Sequence, residues 1–179
     1  MSSPDDPSPG GRVWVLPADV TTDALAPGRY MSLGLDGIAG HCLEAVLPDF
    51  AAQVRPGDLL AAGPNFGTGS SREQAAGVLR HLGIAAVLAP SFAGLFYRNA
   101  INLGLTVLVC PRAGEFIDGE HARLQRDPAL VQRGEGRAPI AYEPAAPFLQ
   151  RMLDAGGLLP LLERRLLRGE IAAQQRPAS

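Results

Sequence analysis

The chain has 179 residues, of which 46% are hydrophobic and 19% are charged, a composition typical of one compact domain with an apolar core. Its formal net charge of −2 creates no positive field for nucleic-acid phosphates, and no apolar run is long enough to cross a bilayer. Nucleic acid and membrane are therefore not expected as partners.

Residue usage narrows the chemistry further. Every basic residue is Arg, which excludes lysine Schiff bases and leaves planar guanidinium groups for carboxylates, so an anionic substrate is favoured. The two cysteines, Cys42 and Cys110, are too few for a disulfide framework, and the N-terminal MSSPDDPSPGG lacks the pattern of a secretion signal. These features predict a reducing, cytoplasmic environment.

Polar, Pro-rich and Gln-rich ends predict disordered tails over residues 1–11 and 169–179, with a single domain over residues 12–168. The first predicted strand is Arg12–Leu16. A long polar loop, PADVTTDALAPGRYM, follows this strand, and its prolines prevent any long helix. A loop of this length favours a functional role.

The next segment predicts alternating strands and helices, because short apolar runs alternate with longer helical patterns. This βαβαβ pattern indicates parallel strands buried on both faces, with sites beyond their carboxyl ends. The predicted elements are a strand at Asp58–Ala62, a helix at Arg72–Leu82, a strand at Ala85–Ala89, a helix at Phe92–Leu103 and a strand at Leu105–Val109.

The last third of the chain has weaker patterns. Residues 113–142 are predicted to be irregular, with one short strand near Ile140. Pro147 begins a helix that extends to Ala155, and Leu158–Leu167 is predicted to form a final amphipathic helix.

A Gly-rich turn, GTGSSRE at residues 67–73, lies between a predicted strand and a predicted helix. It has no Lys after its glycines, and Arg72 stands where a dinucleotide fingerprint needs its third Gly, so neither nucleotide motif is met. The free N–H groups of the helix N-terminus predict a small anion site. A purely structural alternative is a capping box between Ser70 and Glu73, although it leaves the second serine and the arginine unexplained.

The segments NFGTGSSREQA, APSF and RNAINLGL, together with TTDALAPGRYM upstream, resemble the swivelling domain of the aconitase superfamily. The resemblance implies an α/β fold with three layers (β/β/α) around a mainly parallel βαβαβ core. It also implies the small subunit of an isopropylmalate dehydratase-type hydro-lyase, which isomerises a hydroxy diacid in leucine biosynthesis by removing and re-adding water.

Members of this size pair with a large subunit that carries a [4Fe–4S] cluster, so the resemblance implies a heterodimer or heterotetramer. Such a cluster needs three cysteine ligands, and this chain has two cysteines far apart in sequence. The chain is therefore expected to bind no metal itself, and its three separated histidines show no metal spacing.

The resemblance also implies roles for individual residues. Ser70 is expected to act as the base in alkoxide form, Ser71 to support it and to contact the substrate, and Arg72 to hold a substrate carboxylate. Asp23 is expected to be an active-site residue that orients a serine, an arginine or water, although a simple N-cap also explains it. The physics is consistent, because a helix N-terminus and a guanidinium favour an ionised oxygen.

In the enzymes that this sequence resembles, the loop after Pro-x-Arg-Tyr reaches the variable group of the substrate, where an arginine suits a third carboxylate and apolar residues suit a branched alkyl group. Here Met31 and Leu33 favour the isopropyl group of isopropylmalate. Gln74 stands where the family commonly has a histidine after SSRE. Two other identities therefore stay open, the small subunit of a homoaconitase and that of a dehydratase of another substituted malate. A non-catalytic anion-binding module is the alternative from a different functional class.

Overall fold

The computed structural model describes residues 10–134 and 136–169. Seven strands are defined, and short helices precede the longer ones. The strands are β1 (Gly10–Leu16), β2 (Leu59–Ala62), β3 (Ala86–Ala89), β4 (Val107–Val109), β5 (His121–Gln125), β6 (Leu130–Arg133) and β7 (Ile140–Ala141). The helices are α1 (Thr22–Leu25), α2 (Gly34–Ala39), α3 (Phe50–Gln53), α4 (Glu73–His81), α5 (Gly94–Leu103), α6 (Pro147–Ala155) and α7 (Leu158–Leu167), with 3-10 turns at Gly28–Leu33 and Ala113–Glu115.

All seven strands form one sheet in the order β4-β3-β2-β1-β5-β6-β7. Strands β1 to β4 are parallel, whereas β5 to β7 pair antiparallel. Strand β1 joins the two halves, because Val13 to Leu16 pair with β2 and Gly10 to Arg12 pair with β5. The division of β1 between two partners lets the sheet curl, and the predicted mainly parallel α/β core is confirmed.

The parallel strands are covered on both faces. Their side chains alternate, and one set packs under the helices while the other packs against the antiparallel strands. The helix-side set is Trp14, Leu16, Leu60, Ala62, Val87, Ala89 and Val107. The opposite set is Val13, Leu59, Ala61, Ala86, Leu88 and Leu108. The result is the predicted arrangement of helices, parallel strands and antiparallel strands.

Two sequence-based expectations were wrong. The segment 113–142 is not irregular, because β5 and β6 form an antiparallel pair with Ala122 opposite Arg133 and Leu124 opposite Val131. These strands alternate buried residues with exposed or partly buried polar ones, so they lack the continuous apolar pattern of β2 and β3. Strand β1 also begins at Gly10, inside the predicted tail, because Gly10 pairs with Arg123.

The last two helices agree with the predicted bounds. Helix α6 has Pro147 in its first turn and ends before Gly156, which is left-handed at φ 89°. Among the described residues, no helix is long and apolar enough to cross a membrane. The predicted tails at residues 1–9 and 170–179 lie outside the described residues.

Candidate active site

Three loops lie side by side beyond the carboxyl ends of β1, β2 and β3. The Gly67 N–H donates to the Val20 carbonyl at 2.7 Å, and the Thr22 N–H donates to the Thr68 carbonyl at 2.8 Å. The loops after β2 and β3 are joined in turn by the Phe66 N–H, which donates to the Ser91 carbonyl at 3.1 Å. The loops thus continue the parallel pairing of the strands, and they carry the Gly-rich turn to the edge where parallel sheets place their sites.

Two glycines allow this turn to pack closely. Gly67 has φ 80°, and a Cβ there would lie 2.2 Å from Cγ of the buried Phe96. Gly69 has φ 116°, and its Cβ would lie 2.9 Å from Oγ1 of the buried Thr22. Glycine adopts a positive φ without strain and has no Cβ that would clash, so the turn can follow this path only with glycine at these two positions.

Arg72 and Asp23 meet at the end of the turn, although 49 residues separate them in sequence. Arg72 Nη1 donates to Asp23 Oδ1 at 2.5 Å and to the Ala26 carbonyl at 3.0 Å. The Gly28 N–H donates to the same Asp23 oxygen at 3.0 Å. The Arg72 guanidinium, followed by the Gly28 amide, lowers the pKa of Asp23 below its usual value. Asp23 is therefore a carboxylate that orients Arg72.

Ser70 and Ser71 are both exposed immediately before α4. The capping box, which was the structural alternative, does not form, since α4 begins at Glu73 with Arg72 as its N-cap and with no capping hydrogen bond from a side chain. Gly69 turns the chain at φ 116°, the Arg72 N–H donates to the Ser70 carbonyl at 2.8 Å, and Arg72 itself is extended, so Ser70 lies outside the helix. The hydroxyl of Ser70 is thereby left for another role.

The proposed substrate loop is a 3-10 turn at Gly28–Leu33. Leu33 is 57% exposed, whereas Met31 is half-buried against the helix-side core. Arg29 of the same loop forms an ion pair with Glu44. Leu33 is therefore more accessible to a ligand than Met31.

Glu44 anchors this loop from the other side of a cleft. His41 Nδ1 lies 2.7 Å from Glu44 Oε2, and the His41 ring stacks on Tyr30 at 3.5 Å between centroids. Hydrogen bonds to His41 and then to Arg29 lower the pKa of Glu44. An open cleft of about 360 Å³ lies beside the loop, lined by Thr21, Asp23, Ala24, Pro27, Gly28, Arg29, Glu44 and Ala45.

The cysteines cannot hold an iron–sulfur cluster. Cys42 and Cys110 are buried in different core clusters on opposite faces of the parallel strands, and burial raises the pKa of both thiols. Within the described part of the chain, no group of three or more His, Cys, Asp or Glu side chains is arranged to bind a metal ion. This donor set does not fit a resident cluster.

Sequence reasoning missed two residues beside the turn. Neither Asn65 nor Asp19 is among the residues that the sequence assigns to the site. The structure joins them, because Asn65 Nδ2 donates to Asp19 Oδ1 at 2.7 Å. Both residues have positive φ, 56° for Asp19 and 61° for Asn65. The only sequence signal was residue type, since Asn and Asp adopt this backbone region more readily than other non-glycine residues.

Comparison with known proteins identifies the family. Residues 41–113 match the model of the aconitase C-terminal domain. The chain is 42% identical over 156 residues to 3-isopropylmalate dehydratase small subunit 1 of Methanopyrus kandleri, covering 86% of this chain and 92% of that protein. It is 41% identical over 150 residues to the methanogen homoaconitase small subunit of Methanothermobacter thermautotrophicus, covering 83% and 87%.

A solved structure agrees with these relatives. The crystal structure of 3-isopropylmalate dehydratase from Methanocaldococcus jannaschii superposes with a TM-score of 0.86 at 37% identity, covering 90% of this chain and 97% of that one. The fold, the turn geometry and these matches lead to one conclusion: the chain belongs to the 3-isopropylmalate dehydratase small-subunit family of the aconitase superfamily.

Proposed function

We propose that this chain is the small subunit of a 3-isopropylmalate dehydratase, which interconverts 2- and 3-isopropylmalate by dehydration and rehydration in leucine biosynthesis. The observation that carries the proposal is the Asp23–Arg72 pair beside the exposed Ser70, at the carboxyl edge of the parallel strands. The names of the relatives support the same reaction.

Ser70 is the proposed base. To form the double bond, its alkoxide Oγ takes the proton from the carbon next to the hydroxyl-bearing carbon and becomes a hydroxyl; on rehydration it returns a proton. The positive charge of Arg72 and the N-terminus of α4 favour the ionised oxygen. Ser71, which is the next residue and is also exposed, is proposed to support Ser70 in this role.

Arg72 is proposed to hold a substrate carboxylate. Its Nη1 is occupied by Asp23 and by the Ala26 carbonyl, so the grip falls to the edge formed by Nε and Nη2. Those two donors make no hydrogen bond to any residue that the structure describes. A guanidinium edge of this kind matches a carboxylate at two points, which an ammonium cannot reproduce.

The departing hydroxyl requires help from outside this chain. Asp23 has a lowered pKa and stays ionised, so it does not supply a proton. The chain also lacks a donor set for an iron–sulfur cluster among its described residues. We therefore propose that a large subunit brings the [4Fe–4S] cluster to a shared site, in a heterodimer or heterotetramer, and that both work in the cytoplasm.

Isopropylmalate is favoured over a tricarboxylate because the loop at Gly28–Leu33 offers no unpaired positive charge for a third carboxylate. Arg29, the only guanidinium in the loop at Gly28–Leu33, is paired with Glu44. The exposed Leu33, with the half-buried Met31 behind it, provides an apolar surface for an isopropyl group. The relative named as a homoaconitase small subunit keeps homoaconitate isomerisation as the second candidate.

The test is reconstitution of the full chain with its large subunit under anaerobic conditions, followed by turnover assays with 3-isopropylmalate and homocitrate. Ser70→Ala should abolish turnover while leaving the thermal midpoint almost unchanged, because the hydroxyl is exposed. Glu73→Gln is the matched control at an exposed position three residues away. Turnover of the Ser70→Ala enzyme close to the wild-type rate would refute the assignment of the base.

A further inference from the structure

We infer that Asp19 and Asn65 form a positioning pair that sets the geometry of the Gly-rich turn and, through it, the placement of Ser70. The pair lies outside the residues that contact substrate in the proposed function. Its catalytic consequence depends on that function, whereas its effect on the turn itself can be measured separately.

Asn65 joins all three loops at the site edge. Its side-chain Nδ2 donates to Asp19 Oδ1 at 2.7 Å in the loop after β1. Its backbone N–H donates to Ser91 Oγ at 2.8 Å in the loop after β3. The Asp19 N–H in turn donates to the Pro64 carbonyl at 2.9 Å. One residue of the β2 loop is thus tied to both of its neighbours.

The pair immediately precedes the turn that carries the serines. Asn65 is followed by Phe66, which is buried against Phe92 and Phe96, and then by Gly67. The left-handed backbone at Asn65 brings the chain into the turn with Phe66 in the core, and the next residue, Gly67, donates its N–H at 2.7 Å to the carbonyl of Val20, the neighbour of Asp19. The hydrogen bond to Asp19 holds that backbone in place.

The pair affects geometry more than stability. Asp19 and Asn65 are both exposed, so their hydrogen bond competes with water and contributes little to the free energy of unfolding. A displacement of about 1 Å in a reacting group can nevertheless cost about a hundredfold in rate. We therefore expect changes at this pair to lower kcat while barely moving Tm.

The decisive variants exchange the two side chains. Asn65→Asp places a second carboxylate against Asp19, so the two oxygens repel each other until one is protonated. Combining it with Asp19→Asn restores an amide–carboxylate bond with the donor reversed. Both residue types tolerate a left-handed backbone, so the exchange keeps the local φ preference.

Two measurements report the effect of swapping the two side chains. In the reconstituted complex, Asn65→Asp should lower kcat roughly ten- to hundredfold with a smaller change in KM, and the ratio of its kcat to that of the wild type should rise as pH falls. In the full chain alone, amide hydrogen exchange of residues 66–72 should become faster. The double variant should recover both properties and lose the added pH dependence.

Gln150→Glu provides the matched control. Gln150 Nε2 donates to Asp154 Oδ1 at 2.9 Å on α6, and Arg126 Nη1 lies 2.9 Å from the same oxygen, so this change also sets a carboxylate against an aspartate, but beside a cation and away from the turn. It should leave kcat and the exchange of residues 66–72 unchanged.

The exchange measurement decides the inference even where no substrate is turned over. If the wild-type complex is inactive on every substrate, the proposed function fails, but faster exchange in Asn65→Asp with recovery in the double variant still supports the pair. If Asn65→Asp does not fold, Asn65→Gly removes the amide while keeping the backbone freedom, and faster exchange at residues 66–72 is expected. Unaltered exchange in the folded single variant, or no recovery in the double variant, would overturn the inference.

Discussion

Removing the Asp23 side chain separates the stability of the site from its activity. Asp23→Ala deletes the oxygen that accepts from Arg72 at 2.5 Å and from the Gly28 N–H at 3.0 Å. The Asp23 side chain is 66% exposed and that of Arg72 is 29% exposed, so the ion pair contributes at most about 1 kcal/mol. For a chain of this size, that loss lowers Tm by roughly 2–4 °C or less.

The expected effect on activity is larger. Without Asp23, Nη1 of Arg72 keeps only the Ala26 carbonyl, and the edge formed by Nε and Nη2, which we propose holds the substrate carboxylate, is free to rotate. We expect kcat/KM to fall roughly ten- to hundredfold, equivalent to about 1.4–2.7 kcal/mol of transition-state stabilisation. Asp23→Asn keeps an acceptor oxygen and loses the charge, so its activity should lie between those of Asp23→Ala and the wild type.

A second aspartate provides the control for this comparison. Asp118 accepts from Arg12 Nη2 at 3.2 Å and from the Val15 N–H at 3.0 Å, and half of its side chain is exposed. Asp118→Ala should therefore lower Tm by a similar amount without changing kcat/KM. The reasoning is refuted if Asp23→Ala retains kcat/KM within twofold of the wild type, or if Asp118→Ala loses as much activity.

Three further predictions follow from the same contacts. Gly67→Ala should destabilise the chain by about 3 kcal/mol, from a positive φ and a clash with Phe96, which differential scanning calorimetry would detect as a lower Tm. Folding lowers the pKa of Asp23, so the Asp23 carboxylate stabilises the fold above its unfolded pKa of about 3.9. This stabilisation is lost as pH falls through the pKa of the folded state. The denaturant midpoints of the wild type and Asp23→Asn should therefore converge at that low pH. Leu33→Arg should improve kcat/KM for homocitrate relative to 3-isopropylmalate, because it adds an unpaired cation to an exposed loop position; an unchanged ratio would remove Leu33 from the specificity loop.

Local signals predicted the fold well where they were strong. Helix α6 was bounded correctly because Pro147 begins it and Gly156 ends it, and β2 and β3 were found because they are buried on both faces. The β5–β6 pair was missed for the opposite reason. Only every second residue of β5 is buried, and β5 pairs with β1, which lies more than a hundred residues earlier in the chain.

The candidate site shows where local patterns give the wrong answer. Ser70 and Glu73 have the spacing of a capping box, but Gly69 has φ 116° and Arg72 is extended, so α4 begins only at Glu73. The Asp23–Arg72 contact has no local signature, because its partners lie on loops that only the parallel sheet brings together. The resemblance to a family named these residues, and the sheet explains why they meet.

The proposed site and the core of the fold use different residues. The core under the loops is closed by Phe66, Phe92 and Phe96, and it excludes water without help from the serines. The proposed functional groups lie above that core and are tied to one another by hydrogen bonds between loops. Because these bonds are exposed, their loss costs little stability but frees the orientation of Arg72 and Ser70. This arrangement suits the proposed function, in which a large subunit encloses the substrate over side chains that the core of this chain does not need.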